Sequence, residues 1–425
     1  MRRLLLPLLL AAPLLAQERT PATLVPAGRA VVVPGSNLRA LRGIKPPRLW
    51  LGAWRQGAFI AIPFQVDERV PGGDYAWLEG EERRSDVDEG LDDDDELVFY
   101  ARDAGDRGDL SRVRLGQVEA VEIELHDPAH GQRAWAYLLA FPEDTPTPPR
   151  AGVDRASLEW REGEPAGLRG ERLLLMGRPG NLLHLDELRL ASGGGWGPDL
   201  LDRTKVQLVA SYLFTGIERA GDEVRAGLRA WRDGPVRVVG KLFVETYLIW
   251  GHWIRTLPAG GRLVMWEDRL ELSCPLRTPV DLELDARSEL RLSLDLSPAV
   301  PGLRVWTDRN PARLRAGAPL PRALDRTAPA WIAVSGPGGA VLLRARGGET
   351  IRTGALFLRD DALPDGPEDH PGSHANAGWT FDLTGLRAGV HQLDLSLRAT
   401  EPGAGEPGNE RELLRGDLPL QVVVR

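Results

Sequence analysis

Cysteine is nearly absent from this 425-residue chain: Cys274 stands alone. One thiol cannot close an internal disulfide, and without CxxC or CxxCH there is no thiolate zinc site or c-type haem attachment. Its neighbours, LELSCPL, place it near the end of an apolar strand, which predicts a buried, inert thiol. Lysine is almost as rare, at Lys45, Lys205 and Lys241, so arginine carries the positive charge. The net charge is −8, and no segment gathers arginine into the basic footprint that a nucleic-acid groove needs. Long helical patterns are also missing. Gly and Pro, 48 and 34 residues, interrupt nearly every window long enough for an amphipathic helix, with Asp199 to Leu208 the one candidate.

Apolar runs of membrane-spanning length are lacking as well. MRRLLLPLLLAAPLLA, residues 1–16, pairs two arginines with a Leu/Ala/Pro run and a small residue before Gln17. That is the pattern of a secretory signal peptide, and it is shorter than the ~20 residues a spanning helix needs. The expectation is an exported chain, periplasmic or extracellular, with no membrane span in its mature part.

What is present is strand pattern. Leu49 to Trp54 and Ala58 to Phe64 flank Arg-Gln-Gly, as in a hairpin. Glu96 to Ala101, Val118 to Leu125 and Ala134 to Phe141 read as further strands. PEDTPTPP, residues 142–149, reads as a stiff joint. From Val280 to Leu296, VDLELDARSELRLSLDL, apolar or small residues hold the even positions and polar ones the odd. Period 2 predicts one buried and one wet face, with Ala286 to Ser288 a bend or part of one long strand. Together these predict an all-β protein of antiparallel β-sandwich architecture. The expected layout is a signal peptide at 1–16, a small N-terminal β domain at 17–144 and a Pro-rich linker at 145–150. A large β-sandwich domain at 151–425, of one or two subdomains, completes it.

Candidate sites follow from residue chemistry. Asp92 to Glu96 is an unbroken carboxylate run with Asp103 close behind. Oxygen ligands at that density suit calcium, with Asp92, Asp94, Asp95 and Asp103 as ligands, although the spacing is not that of the twelve-residue calcium loop. The competing reading is a solvated acidic turn, and no other cofactor is expected. IWGHWIR brings Trp250, His252, Trp253 and Arg255 together. Rings pack on sugar faces and arginine grips carboxylates, while strand aromatics also simply fill cores. DHPGSHANAGW places His370, His374 and Trp379 in and beside a loop. His252, Arg255, His370 and His374 are therefore the candidate catalytic residues, and Trp250, Trp253 and Trp379 the candidate substrate-binding ones. HDPAH sets His126 and His130 around an Asp127 turn. No nucleophile elbow, phosphate loop, dinucleotide fingerprint or zinc-protease helix occurs.

IPFQVDER, residues 62–69, followed by LDDDDELVFYARDAGDR, residues 91–107, resembles a pattern in a family of uncharacterised secreted bacterial proteins. Pro63, Gln65, Val66, Asp67, Asp95, Glu96 and Phe99 carry it, and WRDGPVRVV and HPGSHANAGWTFDL are consistent with it. The same segment is faintly similar to exo-rhamnogalacturonan-lyase-like proteins. The resemblance implies a large β-sandwich of the sugar-processing type and assigns no catalytic residue. The expectation is an envelope protein that binds or processes carbohydrate, with polysaccharide as partner. The alternative is a non-enzymatic structural or assembly module.

Overall fold

The structure, a computed structural model, describes residues 20–24, 28–84, 90–113, 115–212, 215–248, 252–255, 261–278, 280–282, 287–360, 375–400 and 420–425. Among them every regular element is a β-strand or a three-residue 3-10 turn. Residues 199–208 follow suit: Leu201–Tyr212 is a strand, where β-branched Thr204, Val206 and Val209 fit a pleated surface better than a helix. No helix among the described residues is long and apolar enough to cross a membrane, which leaves strands out of consideration.

The chain forms a smaller N-terminal β domain and a larger C-terminal sandwich, with antiparallel pairing throughout. In the N-terminal part, Ala30–Pro34, Glu96–Tyr100 and Phe64–Asp67 form a three-stranded sheet with Glu96–Tyr100 in the centre. A five-stranded sheet packs on it: Ala58–Ala61, Leu49–Arg55, Gln132–Ala140, Glu119–Asp127 and, as its last strand, Gln421–Val424. The hairpin at residues 55–58 turns through Gln56 and Gly57, both with positive φ (48° and 85°), as a two-residue turn demands. Pro63 falls between strands, where no ladder needs its missing N–H. The Pro-rich segment is strapped to this sheet: Trp50 Nε1 donates to Pro149 O at 3.0 Å, and Arg150 donates to Leu49 O at 3.1 Å.

Alternation makes the three-stranded sheet two-sided. Val31, Val33, Leu97 and Phe99 face the five-stranded sheet with Leu49, Leu51, Ile123 and Leu138. Val32, Val98 and Tyr100 face the other way, onto Val236, Val239, Val264 and Trp266 of the C-terminal part. The N-terminal sheets therefore lie on one face of an eleven-stranded sheet. That sheet has Val238–Leu248, Gly261–Met265, Arg269–Thr278, Gly389–Ala399 and Gly339–Gly347 at its centre. Its opposite face packs a Leu/Val core against two five-stranded sheets.

The long period-2 segment is covered differently from what its pattern predicts. Among its described residues the strand is Glu289–Leu296, starting just past the expected bend. Its polar face is not wet: Ser293 is 8% and Asp295 0% exposed. Asp295 pairs with Lys205 at 3.1 Å and accepts from Ala375 N at 3.2 Å, so ion pairing and backbone donors stand in for water on that face.

Candidate functional site

Cross-strand register on the large sheet builds one continuous polar surface. Lys241 lies opposite Arg262, Arg262 opposite Ser273, Ser273 opposite Asp394, and Asp394 opposite Arg346. The neighbouring row runs Val264, Glu271, Ser396, Arg344. Directly opposed residues share a face with Cβ atoms about 5 Å apart. All of these but Lys241 line an open groove of ≈440 Å³. Arg262, Arg346 and Asp394 are exposed, while Arg344, Glu271, Ser273 and Ser396 are half-buried. The intervening Leu272 and Leu395 turn inward, because a strand sends alternate residues to opposite faces.

The groove's carboxylates are held in place. Glu271 receives the Trp266 indole N–H at 3.1 Å and pairs with Arg269 at 3.0 Å, so both its oxygens are engaged. Gln392 donates to Asp394 Oδ1 at 2.6 Å and to Ser273 Oγ at 2.9 Å. At the groove's end the N-terminal domain closes over the same sheet face. Lys241 pairs there with Asp74 at 3.2 Å and Glu82 at 2.9 Å.

Beneath that cover lies a buried ionic network built from the sequence's own motifs. Gln65 Oε1 accepts from the backbone of Val236 and Arg237, each at 3.1 Å, and Gln65 Nε2 donates to Asp67 at 2.6 Å. Asp67 binds Arg237 at 2.7 Å and Arg232 at 3.2 Å, and Arg232 also donates to Val66 O at 2.8 Å. Glu96 pairs with Arg237 and, at 2.5 Å, with Arg69. Arg237 stacks over Trp266, 5.0 Å from the ring centroid. Burial alone would lower the Arg237 pKa and raise that of Glu96. Asp67, Tyr75 and Glu96 outweigh it for the guanidinium, which rises, and Arg237 and Arg69 outweigh it for the carboxyl, which falls. Gly234 is required here, since a Cβ would collide with the Gln65 amide.

A second network joins the domains nearby. Arg155 pairs with Asp103 at 2.9 Å and Glu171 at 2.7 Å, and Arg102 with Glu171 and Glu267, each at 2.5 Å. Burial pushes the Glu267 carboxyl up to about 8, against the opposing pull of Arg102.

The residues singled out from sequence fare differently. His252, Trp253 and Arg255 lie on the strand His252–Arg255, paired with Val238–Leu248. Trp250, His370 and His374 lie outside the described residues. Trp379 is a core ring, 4% exposed, with its N–H donated to Pro329 O at 3.3 Å. The four aspartates are not gathered. Asp95 is fully buried and accepts from Arg69 N at 2.8 Å and Asp92 N at 2.9 Å, while burial raises its pKa to about 6. Asp92 accepts from Asp94 N at 3.0 Å, and Asp103 belongs to Arg155. Among the described residues no group of three or more His, Cys, Asp or Glu is placed to hold a metal ion. Asp127 caps its turn through Ala129 N at 3.0 Å and binds the buried Arg29 at 2.7 Å.

Sequence reading missed the groove residues and the arginines of the network. The available signal was the alternation of LELS, LLRAR and LDLSLRA, in which apolar residues at every second position are separated by Glu, Ser, Asp and Arg, apart from Leu342.

No family model and no curated protein matches the chain. Among solved structures it is similar to a protein in glycosyl hydrolase family 38 from Enterococcus faecalis, at 10% identity and a TM-score of 0.42. That match covers 94% of this chain and 46% of the other, so the chain spans about half the length of that protein. A GalM/aldose epimerase homologue from C. elegans matches at 9% identity and a TM-score of 0.28, over 55% of this chain and 97% of the other. HI1317 matches at 10% identity and a TM-score of 0.27, over 57% and 99%. These values are too low to transfer a fold family or an activity to this chain.

Proposed function

We propose that this chain is a carbohydrate-binding protein whose groove on the large sheet takes an anionic saccharide. The observation that carries the reading is the row Arg262, Ser273, Asp394, Arg346 beside Glu271, Ser396 and Arg344. Three guanidinium groups face two carboxylates there, on a protein whose net charge is −8. Planar guanidinium groups bind carboxylate or sulfate in two-pronged fashion. Ser273, Ser396 and the held carboxylates offer partners for hydroxyls, so a polyhydroxylated anion meets both of its needs in one place.

Binding fits the site better than catalysis. A general base must be free to take a proton from substrate. Among the groove's carboxylates Glu271 has both oxygens engaged, by Arg269 and Trp266, and Asp394 has Oδ1 engaged by Gln392, which suits them to accept from hydroxyls. Calorimetric titration with oligogalacturonate and with a neutral glucan tests the reading. Binding of the acidic oligosaccharide alone is expected, with Arg346→Ala weakening it about tenfold or more, the equivalent of one lost charge-assisted hydrogen bond. Equal affinity for the neutral glucan, or no binding of either, contradicts it. Release of unsaturated product, read at 235 nm, would replace binding by lyase action.

A further inference from the structure

The inner side of the groove's strands encloses a second space. Between the large sheet and the five-stranded sheet containing Leu201–Tyr212, Glu289–Leu296 and Ala375–Asp382 lies a cavity of ≈210 Å³. Leu183, Val244, Leu272, Cys274, Leu292 and Leu395 contribute to its wall. On the apolar face of Glu289–Leu296 the end residues Leu290 and Leu296 are buried, but the central Leu292 and Leu294 are half-buried, more open than the polar Ser293 and Asp295 between and beside them. Leu182, Leu183 and Val244 are half-buried too. A sealed apolar face would bury its leucines first, so this face opens onto solvent-accessible space.

The polar residues along the lining make bonds within the fold. Thr204 is bonded to the backbone of Leu183 and, at 3.0 Å, of Leu185, and Lys205 pairs with Asp295 at 3.1 Å. Arg344, opposite Ser396, belongs to the groove face of its strand. An occupant therefore meets an aliphatic wall. Packed interiors leave few voids larger than a water. An apolar cavity of about 150 Å³ stays dry and accepts benzene, and this one is larger.

We propose that this cavity binds the alkyl chain of an amphiphile. The aliphatic wall takes the chain, and the open, half-buried rim leaves the polar head in water.

Cys274, the only thiol of the chain and part of the wall, is the test's reporter; burial raises its pKa to about 12, so modification is slow and rates are compared at pH 9. The full chain is treated with methyl methanethiosulfonate in the presence of decanoate or butyrate. Decanoate at about four times its dissociation constant should slow modification about fivefold, because only the unoccupied fraction reacts, and butyrate should not. Decanoate should also raise the melting temperature of the unmodified chain. Ala377→Leu fills the cavity from its wall; that variant should melt cooperatively and lose the decanoate protection. Should it not melt cooperatively, Val244→Leu takes its place under the same criterion. No protection and no melting shift up to the solubility limit of decanoate overturns the proposal. So does protection equal to the parent's in a cooperatively melting filled variant.

Discussion

One face of the large sheet is divided in two, and the halves use the same residue types to opposite ends. Under the N-terminal domain, Arg237 is 4% exposed by its side chain and held by Asp67 and Glu96, with Trp266 beneath it. A few residues along the same face, Arg262 and Arg346 stand exposed in the groove. The covered half has its electrostatics completed within the fold, as a buried ion must. The open half holds its carboxylates with Arg269, Trp266 and Gln392 and leaves exposed guanidinium groups to meet a ligand. The comparison separates arginines that hold the domains together from arginines that recognise.

The largest effect should come from breaking the covered half. Arg237→Met leaves Asp67 and Glu96 buried without their shared cation, and urea unfolding should show a loss of about 3–5 kcal/mol. Gln65→Ala removes the acceptor of two buried backbone N–H groups and should cost about 1–3 kcal/mol by the same measurement. Gly234→Ala, which drives a methyl into the Gln65 amide, should fall in the same direction.

The partners of that network mark the limit of what the sequence discloses. Gln65, Asp67, Asp95 and Glu96 stood out as a motif, and WRDGPVRVV as a companion segment. That Arg232 and Arg237 close on Asp67 from about 170 positions away depends on which sheets stack, and no local pattern encodes that. The all-β class was legible because period 2 and the Gly/Pro turns are local signals. Alternation also fixes which residues share a face, but not whether water or another sheet covers it. Asp295, predicted wet, is buried against Lys205 for that reason. The groove was hidden likewise: Ser273, Asp394 and Arg346 adjoin only through pairing of strands distant in sequence.

A smaller effect is expected from pH. Burial raises the folded pKa of Glu267 to about 8 against the pull of Arg102 and Arg155, above the ~4.3 of an unfolded chain. The folded state therefore holds the proton more tightly. Glu267 contributes stability that is fully present below about pH 4.3 and is lost as pH rises through 8. Melting temperature should fall between pH 6 and pH 9 in the parent, and Glu267→Gln should flatten that part of the profile. An unchanged slope in the variant would assign the fall to other groups.

The smallest effect on stability should come from the open half. Arg346→Ala should change the unfolding free energy by no more than about 0.5 kcal/mol, as surface substitutions do. If it destabilises like Arg237→Met, the division of the face fails.

The most direct test of the account pairs two readouts on that same variant. Titration of the parent and of Arg346→Ala with oligogalacturonate, alongside their urea unfolding curves, should give a binding constant weakened about tenfold on an unchanged fold. Undiminished binding by Arg346→Ala on an unchanged fold, or no binding by the parent, would contradict a groove made for an acidic saccharide.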